Sequence, residues 1–153
     1  GRCGILICED AWHLSLPLLL AMDGPHLEGA GLLLILSNSP ARGVSESVQG
    51  VPESHRIWEN LLKTYASLLE SVVVYAHRGG VEDGLNFSGG SQVLGAGGEI
   101  LAKAPLFTPA TLDLLLDWPE PLRTGRTGSL VLSSENVDLL KRELSRIMKE
   151  AFD

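Results

Sequence analysis

The sequence predicts an α/β domain. Short apolar runs such as residues 4–8, 32–36 and 72–76 each stop abruptly at polar or glycine-rich residues, as buried strands do. Stretches of helical length and spacing lie between them, so strand and helix alternate along the chain. The 153 residues are 44% hydrophobic and only 20% charged, enough apolar material for one folded core.

The elements follow in order. Gly4-Ile5-Leu6-Ile7-Cys8 reads as a buried strand that turns polar at once in Glu9-Asp10-Ala11-Trp12. Residues 14–22 read as a helix, because Pro17 sits in the first turn, where a missing N–H costs little; Gly24-Pro25 stops it. Leu32 to Leu36 is continuously apolar between Gly31 and Ser37, the pattern of a strand buried on both faces. Residues 37–52 are rich in Ser, Gly and Pro and read as one long loop, a length often functional in compact domains.

Glu53 to Ser71 carries Ile57, Trp58, Leu61, Leu62, Tyr65, Leu68 and Leu69 at helical spacing. Val72 to Ala76 is a β-branched strand run. Residues 79–90 read as a second glycine-rich loop, and Ser91–Leu94 with Ile100–Ala104 as a hairpin turned by residues 95–98. Thr111–Leu116 alternates as a further strand would. Residues 118–128 are a connector broken by Pro and Gly. Ser133 or Ser134 is expected to cap a final amphipathic helix with Val137, Leu140, Leu144, Ile147, Met148 and Ala151 on one face. Such a face packs on the domain or on a partner subunit more often than on a membrane.

Charge and composition exclude several classes. A net charge of −7 without a basic cluster argues against binding nucleic acid through its phosphates. No run reaches the roughly 18 apolar residues of a membrane span, and no signal peptide pattern is visible. Cys3 and Cys8 are too few for a disulfide framework and, five residues apart on one strand, point to opposite faces; a reducing cytoplasm is the expected compartment. Zinc binding by Cys3, Cys8 and His13 fails on spacing and lacks a fourth ligand. A Cys8–His13 dyad has no third orienting group nearby. Neither a metal nor a cofactor is expected. The opening Gly1-Arg2-Cys3-Gly4, without Met, reads as a cut within a larger sequence.

Three segments end strands in chemistry-bearing loops: Cys8-Glu9-Asp10, Ser37-Asn38-Ser39-Pro40, and residues 77–83 with His77, Arg78, Glu82 and Asp83. In an open α/β sheet, sites gather beyond the carboxyl ends of the strands, so the three are expected to meet around one pocket.

The motifs GILICEDAW (residues 4–12), GLLLILSNSP (31–40) and HRGGVEDGLNFSGGS (77–91), in that order, resemble those of the nitrilase, or carbon–nitrogen hydrolase, superfamily. The resemblance covers residues 4 to about 117 and implies the C-terminal half of a nitrilase-like α-β-β-α sandwich in residues 1–117, with 118–153 as connector and helix. It implies hydrolysis of non-peptide carbon–nitrogen bonds in a small amide, nitrile or N-carbamoyl amine. Cys8 would be the nucleophile, forming a thioester. Glu9 would lend a backbone N–H to the oxyanion, and Glu82 would match a second glutamate that orients the site. Asp10, Trp12, His13, Asn38, Ser39 and Phe87 are the remaining pocket candidates.

A following helix N-terminus would favour the thiolate, while the charges of Glu9 and Asp10 oppose it, so an N-terminal cation or base is expected to help. His77 stands where the family commonly has Asn, and Gly79 where it has Val. The family's general-base Glu and its Lys lie upstream of the nucleophile strand, so they are expected in a missing N-terminal half. Lys63 and Lys103 do not match that Lys. Residues Cys8-Glu9-Asp10 also resemble the glutamine-hydrolysing domain of NAD synthetases. In another class, the chain by itself would be a catalytically incomplete half or an interaction subunit. A homo-oligomer is expected, with neither nucleic acid nor membrane as partner.

Overall fold

The computed structural model describes residues 1–23, 29–43, 50–116 and 136–152. Its elements are β1 (Cys3–Ile7), a 3-10 helix (Cys8–Trp12), α1 (Ser15–Met22), β2 (Leu32–Ser37), α2 (Glu53–Leu69), β3 (Val72–His77), β4 (Gly79–Glu82), β5 (Leu85–Ser88), β6 (Gln92–Leu94), β7 (Ile100–Lys103) and α3 (Val137–Phe152). The predicted helix stop at Gly24-Pro25, the connector at 118–128 and the caps Ser133 and Ser134 lie outside the described residues, as does part of the 37–52 loop.

Five strands form one sheet in the order β1-β2-β3-β6-β7. The first three run parallel, in a register that sets Ile7 beside Leu36 and Ser37 beside His77. β6 and β7 add antiparallel. Helices α1 and α2 supply the two parallel crossovers, as parallel neighbours require. Their side chains and one sheet face make the core: Leu6, Leu33, Ile35, Val73 and Tyr75 from the strands meet Ala21, Trp58, Leu62, Tyr65, Ala66 and Leu69 from the helices. Each such large side chain, fully buried, contributes about 1.5–3 kcal/mol of transfer free energy. Gly4 is needed for close approach here, since a Cβ would come within 3.0 Å of Leu20 and Leu33.

The other sheet face is open. Ile5 and Ile7 are 59% and 63% exposed and Leu36 is 41% exposed, while Leu32 and Leu34 are half-buried. The expectation that β2 is buried on both faces is therefore corrected. Its continuous apolar run supplies a helix-covered face (Leu33, Ile35, Ser37) and a second apolar face without cover among the described residues.

Helix α2 starts after Pro52, whose extended backbone cannot continue a helix upstream, and pairs Glu53 with Arg56 in its first turn. It ends where Glu70 turns left-handed at φ 49°, a common helix stop. Ile57 and Leu68, expected on its buried face, are instead exposed; the face runs through Trp58, Leu62, Tyr65 and Leu69. The predicted loop over residues 79–90 is a two-stranded ribbon, β4 against β5. Asp83 and Gly84 both take positive φ at its tip (51° and 78°), the conformation of a tight two-residue hairpin turn. Thr111–Leu116 forms no strand, and Leu115 lies almost fully exposed. Alternation alone found no edge to pair with. The N-terminus of α3 is capped by Asn136, whose Oδ1 accepts the Leu139 N–H at 2.9 Å, and its Leu144, Ile147 and Met148 are exposed. No helix among the described residues is long and apolar enough to cross a membrane.

Candidate active site

The carboxyl ends of the three parallel strands open on one cavity of 390 Å³. Strand β1 brings Ile7 and Cys8 to it, β2 brings Leu36, Ser37 and Asn38, and β3 brings Ala76, His77 and Arg78; Ser91 closes the wall. The three loops predicted to converge do so.

Cys8 stands at a sharp bend. Its φ of 47° is left-handed, a conformation that costs a non-glycine residue on the order of 1–2 kcal/mol and that recurs at functional sites. Two contacts hold the bend. The Asp10 carboxylate accepts the Ile7 N–H at 2.9 Å, and the buried Tyr65 hydroxyl donates to the Ala11 carbonyl at 2.6 Å, tying the 3-10 helix to α2.

The parallel register carries the next position of β1 against the end of β2. The Cys8 sulfur thus lies 3.6 Å from the Ser37 hydroxyl and 3.5 Å from that of Ser39. The two hydroxyls are 3.3 Å apart, and the Ser39 N–H points to Ser37 Oγ at 3.4 Å. Burial is the largest influence on the thiol and pushes its pKa up. The Ser39 hydroxyl, the Asn38 backbone N–H and the Ser37 hydroxyl bond to the sulfur and together outweigh it, while the Glu9 charge opposes them, so the thiol titrates below its ordinary 9.0. Among the described residues this direction comes from hydroxyls and a backbone N–H, without a cation.

His77 borders the same corner. Its Nδ1 is 3.1 Å from the Ser37 carbonyl, which only accepts, so Nδ1 carries the hydrogen. Burial is the main cause that lowers its pKa below 6.5, leaving a neutral ring. That ring stacks on Tyr75, which stacks on Trp58, which Trp12 meets edge-on. Ser91 fixes the His77 backbone, accepting its N–H at 2.9 Å.

Arg78 is the one charged residue among the described residues lining the cavity. Its Nη1 is 2.6 Å from Glu82 Oε2 and 3.5 Å from Asn38 Oδ1, and the guanidinium lies 4.7 Å over the Phe87 ring.

The predicted site residues divide accordingly. Cys8, Asn38 and Ser39 meet at or beside the cavity. Glu82 supports it from outside through Arg78. Phe87 is buried beneath that arginine. Asp10, Trp12 and His13 do not line the cavity: Asp10 turns back to cap Ile7, Trp12 leans on Trp58, and His13 is exposed 3.8 Å from Glu9. Ser37, His77 and Arg78, from the loops expected to converge, line it too, as does Ser91. Ser37 and His77 end their strands and Arg78 follows one step on, whereas Ser91 lies just before β6. No group of three or more His, Cys, Asp or Glu among the described residues is arranged to hold a metal ion.

No protein-family profile matches the sequence. The glutamine-dependent NAD(+) synthetase of Thermotoga maritima is 32% identical over 128 residues, 81% of this chain and 19% of that protein. Solved structures share the fold. The carbon–nitrogen hydrolase of Helicobacter pylori G27 is 26% identical with a TM-score of 0.55, over 69% of this chain and 36% of that one. The glutamine-dependent NAD+ synthetase of Acinetobacter baumannii is 30% identical with a TM-score of 0.57, over 71% and 18%. The amidase of Nesterenkonia sp. is 25% identical with a TM-score of 0.55, over 69% and 35%. A variant of that amidase carries the acetamide moiety of fluoroacetamide bonded to its active-site cysteine. The chain spans between about a fifth and just over a third of the length of these relatives.

Proposed function

We propose that this chain, whose fold is that of the carbon–nitrogen hydrolases of the nitrilase superfamily, carries the nucleophile of an enzyme that splits small non-peptide C–N bonds. The observation that carries the reading is the Cys8 sulfur, bent out at a strand end into a cavity and hydrogen-bonded by groups that lower its pKa. The amidase with a group bonded to its cysteine supports the role by analogy.

In this reading the Cys8 thiolate attacks the carbonyl carbon of an amide or N-carbamoyl amine, or the carbon of a nitrile. The Glu9 backbone N–H receives the developing charge on oxygen. With an amide, the C–N bond breaks, the amine takes a proton and leaves, and water then hydrolyses the thioester. Glu82 holds the wall by pairing with Arg78. Among the described residues the cavity wall offers neither Lys nor Glu, so the general-base Glu and the Lys come from another part of the parent protein. That part would also cover the open face bearing Ile5, Ile7 and Leu36. Residues 1–117 form the hydrolase portion and 118–153 an appended segment, and the parent works as a cytoplasmic homo-oligomer.

A second reading is favoured by the 32% identity to an NAD synthetase that depends on glutamine: the bond split is the side-chain amide of glutamine, and the ammonia feeds a synthetase. In a reading of another class, the chain is an interaction subunit built around the open sheet face.

Ammonia release from a panel of amides that includes glutamine separates these. The chain is assayed alone and together with an N-terminal half carrying Glu and Lys, with Cys8→Ala as control. Turnover that appears only with both halves and vanishes in Cys8→Ala is the expected result. Glutamine as the one productive amide would select the second reading. Undiminished turnover in Cys8→Ala, or none in the two halves combined, overturns the assignment.

A further inference from the structure

We propose that Arg78 selects substrates whose acyl part carries a negative charge, a carboxylate placed across the cavity from Cys8. The inference rests on reading Cys8 as the nucleophile.

Among the described residues the walls near the sulfur are apolar (Ile7, Leu36, Ala76) or neutral, and the guanidinium is their one charged group. It is built in rather than free to wander. Glu82 and Asn38 both engage Nη1, and Phe87 backs its plane. A guanidinium carries five N–H donors in a fork that matches a carboxylate, more than the contacts to Glu82 and Asn38 use. Glu82 does not cancel the charge, because its side chain is 54% exposed and water weakens such a pair. The competing reading is that Arg78 only props the β4–β5 ribbon through Glu82 and Phe87.

Alkylation of Cys8 separates the two in the chain as it stands. Iodoacetate and iodoacetamide have the same size and leaving group and differ in charge. With either, the thiolate displaces iodide: a C–S bond forms, the C–I bond breaks, and iodide departs with the electron pair. Peptide mass spectrometry reads Cys8 separately from Cys3.

Arg78→Gln is expected to slow iodoacetate at Cys8 by about threefold or more and to leave the iodoacetamide rate nearly unchanged. Glu82→Gln, which frees the guanidinium, is expected to speed iodoacetate selectively. In the unaltered chain, raising salt from about 0.01 M to about 1 M shortens the screening length from about 30 Å to about 3 Å and is expected to lower the iodoacetate rate relative to iodoacetamide. Parallel changes of both reagents in Arg78→Gln, or no selective effect of Glu82→Gln and salt, would overturn the proposal. Should Arg78→Gln fail to fold by circular dichroism, the Glu82→Gln and salt measurements decide. Cys8 reacting with both reagents no faster than Cys3 would sink the nucleophile reading itself; fast alkylation without charge preference sinks only the role of Arg78.

Discussion

The Ser39 hydroxyl lies 3.5 Å from the Cys8 sulfur, at the end of a different strand and 31 residues along the chain. A donor at that distance favours the thiolate over the thiol, and with Ser37 and the Asn38 N–H it overcomes the effect of burial.

Removing that donor should be visible in the thiol itself. Ser39→Ala is expected to move the Cys8 titration upward and to slow its alkylation at neutral pH on the order of 3–10-fold. Ser37→Ala should act in the same direction, less strongly. The pH dependence of alkylation checks both; a titration that stays in place in both variants would show that the hydroxyls do not set the thiol's acidity.

The left-handed backbone at Cys8 should cost stability that glycine recovers. Cys8→Gly is expected to be more stable than Cys8→Ala by about 1 kcal/mol, read from urea midpoints. Equal midpoints would mean that the bend carries no strain.

Two histidines make the fold sensitive to acid. Burial, the main cause in each case, lowers the pKa of His55 and of His77 below the ordinary 6.5. The unfolded chain therefore takes up these protons first. Their contribution to stability is complete above pH 6.5 and is lost as pH falls through that value toward the lower folded pKa. Urea midpoints measured downward from about pH 7.5 should fall, and His55→Gln should flatten the slope between about pH 6.5 and pH 5. A slope unchanged in that variant would remove His55 from the account.

The two sheet faces should answer differently to mutation. Leu33 is fully buried beneath the helices, so Leu33→Ala is expected to cost about 2–5 kcal/mol. Ile5, on the open face, is 59% exposed, so Ile5→Ser should stay within about 0.5 kcal/mol in this chain alone. A large loss from Ile5→Ser would show that something covers that face in solution.

The alternating framework was legible because apolar runs and helical spacing report burial directly: β1, β2, β3, α1 and α2 lie where those patterns put them. The ribbon at residues 79–88 is hidden in the sequence because its glycines suggest a loop and mask the Asp83-Gly84 pair, itself a strong hairpin signal. The apolar run of β2 says that neither face wants water, but not that both are covered. At the site, Cys8 and Ser39 stood out in the sequence by the motifs around them. Ser37 and Ser91 belong to the motifs at 31–40 and 77–91, but nothing in those motifs says which of their residues face the cavity. They reach the cavity because of strand pairing, which a single sequence does not display.

The register of β1 on β2 gives the chain an uneven tolerance for insertions and deletions. Successive residues of a strand face opposite ways, so losing one residue from Cys3–Ile7 would turn Leu6 out of the core and Ile5 into it while Cys8 is drawn back from the two serines. A residue gained or lost past the end of α1, in the stretch leading to β2, shifts no strand against its neighbour. Length variation among descendants of this sequence should therefore collect in the connections and be absent from the five residues that lead to Cys8.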